Sequence, residues 1–287
     1  MSAPDTPGRW PSAATTVVGV IGHPVAHSLS PLLHNTAFRA MGLDWVSVGF
    51  TVPDGSAAGA LAGMRALGLA GLSVTMPHKH EVARLVDQRT AVADRLDAVN
   101  CVISRGGQLV GDNTDGAGLL AALRHGAGFA AGGRRCLVVG AGGAARAAVV
   151  ALADAGASEV VVVNRTAARA EAVAALAGPA GRVGLPADAR HADLVVQATP
   201  AGMADTPTEH DEPLVGADLL GPEQVVVDLV YHPRTTRWLA AAAERGATTQ
   251  GGLGMLVHQA AAQLSAWTGS DPPVAAMWDA VRSGATP

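Results

Sequence analysis

The sequence predicts an α/β protein made of two α/β domains, and three observations support this fold class. The chain has 287 residues, which fits two domains at roughly 100 to 200 residues each. Apolar residues account for 49% and charged residues for 15%, so the chain can bury a core and is not a disordered protein. Short runs rich in Val, Ile and Leu alternate with longer Ala- and Leu-rich segments, a pattern typical of a parallel α/β sheet.

The individual elements follow from this alternation, because short β-branched runs favour buried strands and the longer segments between them favour helices. The predicted strands are residues 17–21, 45–51, 69–74, 98–103, 136–140, 159–163, 194–198 and 225–229. The predicted helices include residues 31–41, 56–67, 79–85, 116–125, 144–155 and 167–177.

We place the domain boundary after Gly116, since the strand that leads into a glycine-rich turn starts a new strand–helix–strand unit soon afterwards. The first domain is therefore residues 17–116 and the second is residues 117–252. Helices within residues 253–287 follow the last strand of the second domain and are expected to return to the first. Residues 1–16 are rich in Pro, Ser, Ala and Thr, lack the pattern of a signal peptide, and are expected to form a flexible extension.

Charge and cysteine content narrow the classes of partner. The formal net charge of −4 indicates no broad basic surface, so neither nucleic acid nor a membrane is an expected partner. The two cysteines, Cys101 and Cys136, form no disulfide framework and fit a reducing, cytoplasmic setting. Residues 137–157 are apolar but contain Arg146 and Asp154, which favours a strand, turn and helix over a membrane span.

The histidines predict no metal site. His23 and His27 are separated by Pro24, which breaks helical spacing, and His78 and His80 would point to opposite faces of a strand. Neither pair therefore has the spacing of two ligands on one metal.

A glycine-rich turn in the second domain predicts a dinucleotide site. Gly140, Gly142 and Ala145 form G-x-G-x-x-A between a predicted strand and a predicted helix, where a pyrophosphate can approach the helix N-terminus. Glycine-rich turns without a ligand are the alternative, but the flanking strand and helix favour the cofactor. The turn residues expected to contact it are Gly140, Ala141, Gly142, Gly143 and Ala144.

The end of the next strand predicts which cofactor binds. An NAD site has Asp or Glu here to accept the ribose hydroxyls. This chain has Asn164, Arg165 and Thr166, with Arg169 four residues after Arg165. Guanidinium groups match phosphate geometry, so NADP is the predicted cofactor. The alternative is a helix cap at Thr166 with solvated arginines.

Lys79 is the only lysine among 20 basic residues. Coding bias is one explanation for the surplus of Arg. A Lys side chain, however, can release its proton at workable pH, whereas an Arg side chain cannot. Lys79 and Thr75 follow a predicted strand, at the edge of the sheet where α/β folds bind ligands. Lys79 is therefore a candidate proton donor.

Two further polar turns are candidates for substrate binding. Ser30 is a suitable N-cap with Pro31 at the first helical position, and together with Ser28 it could hold a small carboxylate. An ordinary helix cap is the equal alternative. Residues 111–116, GDNTDG, collect carboxylate, amide and hydroxyl groups in one turn, for which the alternative is capping by Thr114 or Asp115.

Several segments stand along the chain in a recognisable order: GHPVAHSLSPLLHN, GLSVTMPHK, AVN, GDNTDG, VGAGGAAR, NRTAARA, DLVYHPRTT and GLGMLVHQAA. With these motifs, the sequence from about Val17 to Trp267 resembles the shikimate dehydrogenases. The resemblance implies an N-terminal substrate-binding domain and a Rossmann-like NADP-binding domain, with the active site in the cleft between them.

The resemblance also implies roles for individual residues. Ser28 and Ser30 are expected on the substrate carboxylate, with Lys79 and Asp115 as the catalytic pair. The residues expected on the substrate hydroxyls are Thr75, Asn100, Asp115 and Gln259. Further cofactor contacts are expected from Thr199, Leu229, Tyr231 and Gly252, the last two near the nicotinamide.

The implied activity is reversible, NADPH-dependent reduction of 3-dehydroshikimate to shikimate, a step of aromatic amino acid and chorismate biosynthesis. The expected oligomeric state is a monomer or homodimer. A quinate/shikimate or aminoshikimate dehydrogenase is an alternative. In a different class, an inactive nucleotide-sensing regulator would have a damaged catalytic pair, whereas Lys79 and Asp115 are present. Ser73 replaces the Asn common in the family and leaves the preference among ring-hydroxylated acids open.

Overall fold

The computed structural model describes residues 10–283. Of the predicted flexible extension, residues 1–9 lie outside the described range. Residues 12–15 form a hydrogen-bonded turn, in which the Thr15 main-chain N–H donates to the Ser12 oxygen at 3.1 Å. The Thr15 hydroxyl donates to Asp44 Oδ1 at 2.8 Å, and the first strand begins at Thr16. Residues 12–16 are therefore part of the folded chain.

The N-terminal half of the chain builds a six-stranded sheet with helices between its strands. The strands are β1 (Thr16–Gly22), β2 (Trp45–Thr51), β3 (Gly71–Val74), β4 (Gln88–Arg89), β5 (Cys101–Arg105) and β6 (Gln108–Asp112). The helices are α1 (Ser30–Ala40), α2 (Ala57–Leu67), α3 (Lys79–Leu85) and α4 (Ala91–Leu96). The strand order is β2-β1-β3-β5-β6-β4.

This first sheet is mixed. β1 pairs in parallel with β2 and β3, whereas β5 is antiparallel to both β3 and β6. The pairing of β5 with β6 is a hairpin, whose two turn residues, Gly106 and Gly107, have φ of 56° and 83°. Glycine adopts this conformation without steric cost, and a two-residue turn of this kind joins antiparallel strands.

The second sheet is wholly parallel. Its strands are β7 (Arg135–Val139), β8 (Glu159–Val163), β9 (Gly181–Val183), β10 (Leu194–Gln197), β11 (Val225–Asp228) and β12 (Thr248–Gln250). The helices are α5 (Asp115–Ala127), α6 (Gly143–Asp154), α7 (Ala167–Ala174) and α8 (Arg237–Glu244), and three short 3₁₀ helices cover Ala175–Ala180, Pro186–His191 and Ala217–Leu219. The order β12-β11-β10-β7-β8-β9 is that of the doubly wound dinucleotide-binding fold.

Helices α9 (Leu253–Thr268) and α10 (Val274–Arg282) end the described chain. The chain divides into two compact units, residues 10–114 with 259–283 and residues 115–258. The first division falls two residues before the predicted boundary at Gly116. The second falls inside α9 rather than at its start, because a continuous helix shares its residues between the units. In the first unit α10 packs against α1.

Each unit has its own apolar core. In the first, Leu72 and Val102 are buried between the sheet and α2, where Met64 is 1% exposed. In the second, one face of the sheet buries Val138 against α5 and α6, and the other buries Leu137 with Trp238. Among the described residues, none of the helices has the length and apolar character needed to span a membrane.

Candidate active site

In the first unit, the loops that follow β1 and β3 lie side by side. The Thr75 N–H donates to the Ile21 oxygen at 2.9 Å, and the His23 N–H donates to the Met76 oxygen at 3.0 Å. Thr75 follows the last residue of β3 directly, and Lys79 begins α3. Two predicted site residues are thus held at the carboxyl end of parallel strands, where α/β sheets bind ligands.

Main-chain hydrogen bonds bring Asn100 to the same place. The Val74 N–H donates to the Asn100 oxygen at 2.8 Å, and the Val99 N–H donates to the Lys79 oxygen at 2.9 Å. The structure therefore brings together Thr75, Lys79 and Asn100, which are separated by up to 25 positions in the sequence. The Asn100 side chain is 1% exposed.

A buried polar network joins Asn100 to Gln259. Thr114 donates from its main-chain N–H to Asn100 Oδ1 at 2.8 Å, and its hydroxyl donates to the Gln259 main-chain oxygen at 3.1 Å. Gln263, fully buried, donates from Nε2 to Gln259 Oε1 and to the Asn100 main-chain oxygen, both at 3.0 Å. These bonds fix the orientation of two predicted substrate-binding amides. Sequence reasoning missed Gln263, although its spacing of four from Gln259 on one helix was a usable signal.

The serine pair is arranged differently from the prediction. α1 begins at Ser30 itself, after Leu29, so Ser30 is a helical residue and not the N-cap. The hydroxyl that accepts from the helix start is that of Ser28, which accepts from the Ser30 N–H at 3.3 Å. The prediction of Ser30 as the cap is therefore wrong, because Ser28 reaches the free N–H group from outside the helix.

The GDNTDG turn also differs from a simple helix cap. The Thr114 hydroxyl is engaged by Asn100 Nδ2 at 3.1 Å and by Gln259, so it serves the network described above. Asp115 is 6% exposed and begins α5, directly after Thr114. Its predicted catalytic partnership with Lys79 stays a prediction. Ser73 lies buried within β3.

In the second unit, the glycine-rich turn has the geometry that a phosphate site requires. Gly140 has φ of +118°, and a Cβ there would lie 3.0 Å from the Ala198 oxygen, so only glycine fits. Gly142 precedes α6, and a Cβ at Gly142 or Gly143 would meet no atom within 4 Å. The two glycines therefore leave open space at the N-terminus of α6, a helix of 12 residues. A helix N-terminus favours anions.

A cavity of about 430 Å³ opens beside this turn. Six predicted cofactor residues line it: Ala141, Gly142, Asn164, Arg165, Arg169 and Thr199. The others, Gly140, Gly143, Ala144, Thr166, Leu229, Tyr231 and Gly252, are outside its lining. The cavity lies at the carboxyl ends of the neighbouring strands β7 and β10, between which the strand order reverses. This is the point at which a doubly wound sheet binds its dinucleotide.

Sequence reasoning missed most of the opposite wall of this cavity. These residues are Ala198, Pro200, Ala201, Thr208, Asp211, Glu212, Pro213 and Leu214. The first three flank Thr199 after β10, and their position at the end of a parallel strand was a usable signal. The other five come from an irregular segment that carries no motif.

The residues after β8 fit a phosphate group of NADP. Arg165 and Arg169 are exposed, and no ion pair within residues 10–283 joins either guanidinium to a carboxylate. Thr166 precedes α7, but within the described residues its hydroxyl accepts no capping hydrogen bond from a helix N–H. This weakens the alternative of a simple cap. The Asn164 amide donates to the Thr166 oxygen at 3.0 Å and holds the turn. The donor set therefore suits the 2′-phosphate.

Leu229 and Gly252, two of the predicted residues outside the cavity, are brought together. The Gly252 N–H donates to the Val230 oxygen at 3.1 Å, and a Cβ at Gly252 would collide with the Leu229 oxygen. Tyr231 comes directly after Val230, and burial raises the pKa of its phenol. The segment is held by Asp228, fully buried, which accepts from the Thr236 hydroxyl at 2.6 Å and the Val230 N–H at 3.0 Å. Burial raises the pKa of Asp228 to about 6.

The histidine and cysteine predictions have different outcomes. His78 and His80 are not on a strand: His78 precedes α3 and His80 lies within it, because the chain turns into a helix directly after Pro77. Cys101 and Cys136 are buried in strands, and burial raises the pKa of both thiols, that of Cys136 to about 12. Neither cysteine is therefore a reactive thiolate.

Three family models match the chain. They are the shikimate dehydrogenase substrate binding domain over residues 20–102, shikimate / quinate 5-dehydrogenase over residues 124–234, and the shikimate 5'-dehydrogenase C-terminal domain over residues 252–282. The NADP(+) shikimate dehydrogenase of Methanopyrus kandleri is 46% identical, over 94% of this chain and 96% of that protein. The chain belongs to the shikimate dehydrogenase family.

Solved structures agree with this assignment. A shikimate dehydrogenase in complex with NADP⁺ is 37% identical, with a TM-score of 0.89 over 96% of this chain and 98% of that one. The Thermus thermophilus shikimate 5-dehydrogenase, in complex with NADP(H) and shikimate, is 38% identical, with a TM-score of 0.85 over 93% and 99%. A Corynebacterium glutamicum quinate dehydrogenase in complex with NAD is also similar, at 30% identity and a TM-score of 0.85 over 94% and 99%.

Proposed function

We propose that this chain catalyses the reversible, NADPH-dependent reduction of 3-dehydroshikimate to shikimate. The observation that carries the proposal is the position of Lys79, the only lysine in the sequence. Its main-chain oxygen accepts from Val99, next to Asn100, and Thr75 lies in the adjoining loop. A proton donor thus stands beside hydroxyl and amide groups that can bind a polyhydroxylated ring.

The substrate is held by two kinds of contact. Ser28 and Ser30 bind the carboxylate at the start of α1, where N–H groups and hydroxyls favour an anion. Hydrogen bonds to the ring hydroxyls come from Thr75, Asn100, Asp115 and Gln259. Support for the amides comes from the network through Thr114 and Gln263, which holds them in one orientation.

Lys79 completes the reaction as a general acid. NADPH, when bound, supplies the hydride to the C3 carbonyl carbon. Lys79 donates a proton to the carbonyl oxygen, on which negative charge develops. In the reverse direction Lys79 accepts the proton of the reacting hydroxyl as a general base. Asp115 orients the reacting hydroxyl and the ammonium group.

Cofactor choice depends on Arg165 and Arg169. Both line the 430 Å³ cavity, and neither has a carboxylate partner among the ion pairs of the described residues. Arg165→Ala removes charge-assisted hydrogen bonds to the 2′-phosphate worth about 1.5 to 3 kcal/mol, so the Kd for NADPH should rise roughly 10- to 150-fold. The Kd for NADH should change little. Equal losses for both cofactors would contradict recognition of the 2′-phosphate.

The direct test of the proposed reaction is NADPH oxidation followed at 340 nm with 3-dehydroshikimate. NADH in place of NADPH and quinate in the reverse reaction are the controls. Quinate needs its own arm because one matching family model covers both shikimate and quinate enzymes. A kcat/KM for quinate with NAD above that for shikimate with NADP would overturn the proposal.

We further propose that the protein acts in the cytoplasm as a monomer or homodimer. The two buried, free cysteines are compatible with a reducing compartment. Sedimentation equilibrium at several protein concentrations would measure the oligomeric state.

A further inference from the structure

Three side chains of the first unit converge at a point to which no role is assigned above: Asp54, His78 and Glu81. One possible ligand atom from each lies within 4.8 Å of the other two. His78 precedes α3 and Glu81 lies in its first turn, a spacing of three that puts both on one face. Asp54 approaches from the loop after β2, where it is exposed.

Hydrogen bonding determines the proton position on the buried His78 ring. Nε2 of His78 lies 2.8 Å from the Val52 main-chain oxygen. A carbonyl only accepts, so Nε2 must be the donor, and the neutral ring then has its lone pair on Nδ1. The Nδ1 atom is buried and has no hydrogen-bond partner within the described range, and the residue is 0% exposed. A buried polar atom without a partner requires an explanation.

The carboxylates of Asp54 and Glu81 lie near the His78 ring. Glu81 Oε2 lies 3.9 Å from Nδ1, too far for a hydrogen bond. Two carboxylates and an imidazole lone pair are all electron donors, so they repel one another unless a cation lies between them. From this geometry we propose that Asp54, His78 and Glu81 bind a divalent first-row cation such as Zn²⁺, with water completing its coordination.

The distance between His78 Nδ1 and Glu81 Oε2 suits such an ion after a small adjustment. Two ligand atoms at ~2.1 Å from a tetrahedral Zn²⁺ lie ~3.4 Å apart. The observed Nδ1 to Oε2 distance of 3.9 Å is about 0.5 Å longer. A rotation of the Glu81 side chain, which is 32% exposed, would close this gap. The bond from His78 to Val52 is also the contact that metal-binding histidines commonly make with their second ring nitrogen.

The ion would act on the segment that carries Lys79. Lys79 lies between two of the ligands in sequence and begins α3. Cross-linking Asp54 to His78 and Glu81 joins the loop after β2 to the first turn of this helix. Bound Zn²⁺ therefore stabilises the folded protein and restricts the turn from which Lys79 extends.

The test is a titration of ZnCl₂ into the EDTA-treated full chain, by isothermal titration calorimetry and thermal unfolding, without substrate or cofactor. We expect one Zn²⁺ per chain and a higher unfolding temperature. Glu81→Gln and Asp54→Asn keep side-chain size and should each weaken Zn²⁺ binding about tenfold or more, since even indirect partners of metal ligands contribute 10- to 100-fold. Both variants should unfold without zinc at the wild-type temperature.

Two control variants separate this site from other histidines. His80→Ala removes the exposed neighbour on α3, and His258→Ala removes one ring of a stacked pair with His125 in the second unit. Both should bind Zn²⁺ like the wild type. Equal affinity in the wild type and in either carboxylate variant would overturn the three-ligand site. Loss of binding in His258→Ala, which would place the ion at the His125–His258 pair, or no binding by the wild type would also overturn it.

Discussion

Gln263→Leu tests whether the buried network positions the substrate-binding amides. Gln263 lies one helical turn after Gln259 on α9 and donates to Gln259 Oε1 and to the Asn100 main-chain oxygen, each at 3.0 Å. Leucine has a similar size and no donor, so the substitution removes both hydrogen bonds without creating a large cavity. The Asn100 oxygen keeps its bond from the Val74 N–H at 2.8 Å. Gln259 Oε1 loses its donor.

The expected magnitudes follow from these two bonds. Each buried hydrogen bond contributes about 1 kcal/mol, so Gln263→Leu should lower the free energy of unfolding by about 2 kcal/mol. Without the bond from Gln263, the Gln259 amide is held less firmly and should lose up to one substrate hydrogen bond. That loss is about 0.5 to 1.5 kcal/mol, or a roughly 2- to 12-fold increase in KM for 3-dehydroshikimate. The kcat should change little, because neither of the two hydrogen bonds that the substitution removes involves Lys79.

Urea unfolding and steady-state kinetics measure the two effects separately, and Gln224→Leu is the matched control. Gln224 is also buried and donates from Nε2 to the main-chain oxygens of Ala189 and Ala192, at 2.6 and 2.8 Å. Its Oε1 also accepts from the Gly221 N–H at 2.9 Å, so Gln224→Leu removes three bonds. It should lower stability by about 3 kcal/mol and leave KM unchanged. If Gln263→Leu is folded and keeps the wild-type KM, Gln263 does not position Gln259. An equal rise in KM in both variants would indicate general destabilisation instead.

Three further predictions concern single residues. The folded pKa of Asp228, about 6, lies above its usual value of 3.8, so its contribution to stability is greatest below pH 4 and is lost as the pH rises through 6. Asp228→Asn should therefore gain about 3 kcal/mol relative to wild type between pH 4 and 7, at 1.36 kcal/mol per pKa unit; a constant difference in urea unfolding would contradict this. Lys79→Met should lower kcat roughly 10²- to 10⁴-fold with a smaller effect on KM, and retention of a tenth of wild-type kcat would remove Lys79 from the mechanism. Ser28→Ala should lower stability by about 1 kcal/mol, through loss of the bond from the Ser30 N–H, and raise the KM for shikimate. Ser28→Thr, which keeps a hydroxyl, is its control, and wild-type KM in folded Ser28→Ala would move the carboxylate elsewhere.

Local sequence signals were sufficient for the elements whose conformation depends on neighbouring residues. The glycine-rich turn was predicted because a buried strand, a turn that only Gly140 can adopt and an Ala-rich helix follow one another within about 20 residues. The Val-rich strands β7, β8, β10 and β11 were predicted because each contains a run of β-branched residues, which is also a local pattern. Arg165 and Arg169 were found from their distance to the glycines. All of these are short-range patterns.

Short strands and the mixed first sheet were not predicted. β4, β9 and β12 have two or three residues each, too few for a recognisable hydrophobic period. β6 was not predicted, although the Gly106–Gly107 pair before it is a hairpin signal. The antiparallel pairing of β3 with β5 depends on contacts between distant segments, which no local pattern encodes.

The sequence by itself determined the two-unit α/β organisation, the dinucleotide turn and the identity of Lys79 as an exceptional residue. Only the tertiary structure decided which side chains meet. Gln263 reaches Asn100 across 163 positions, and Asp54, from the loop after β2, comes within 4.8 Å of His78 and Glu81. The physical reason is that these bonds form between segments distant in sequence, so their partners are set by the packing of whole elements rather than by local conformational preference.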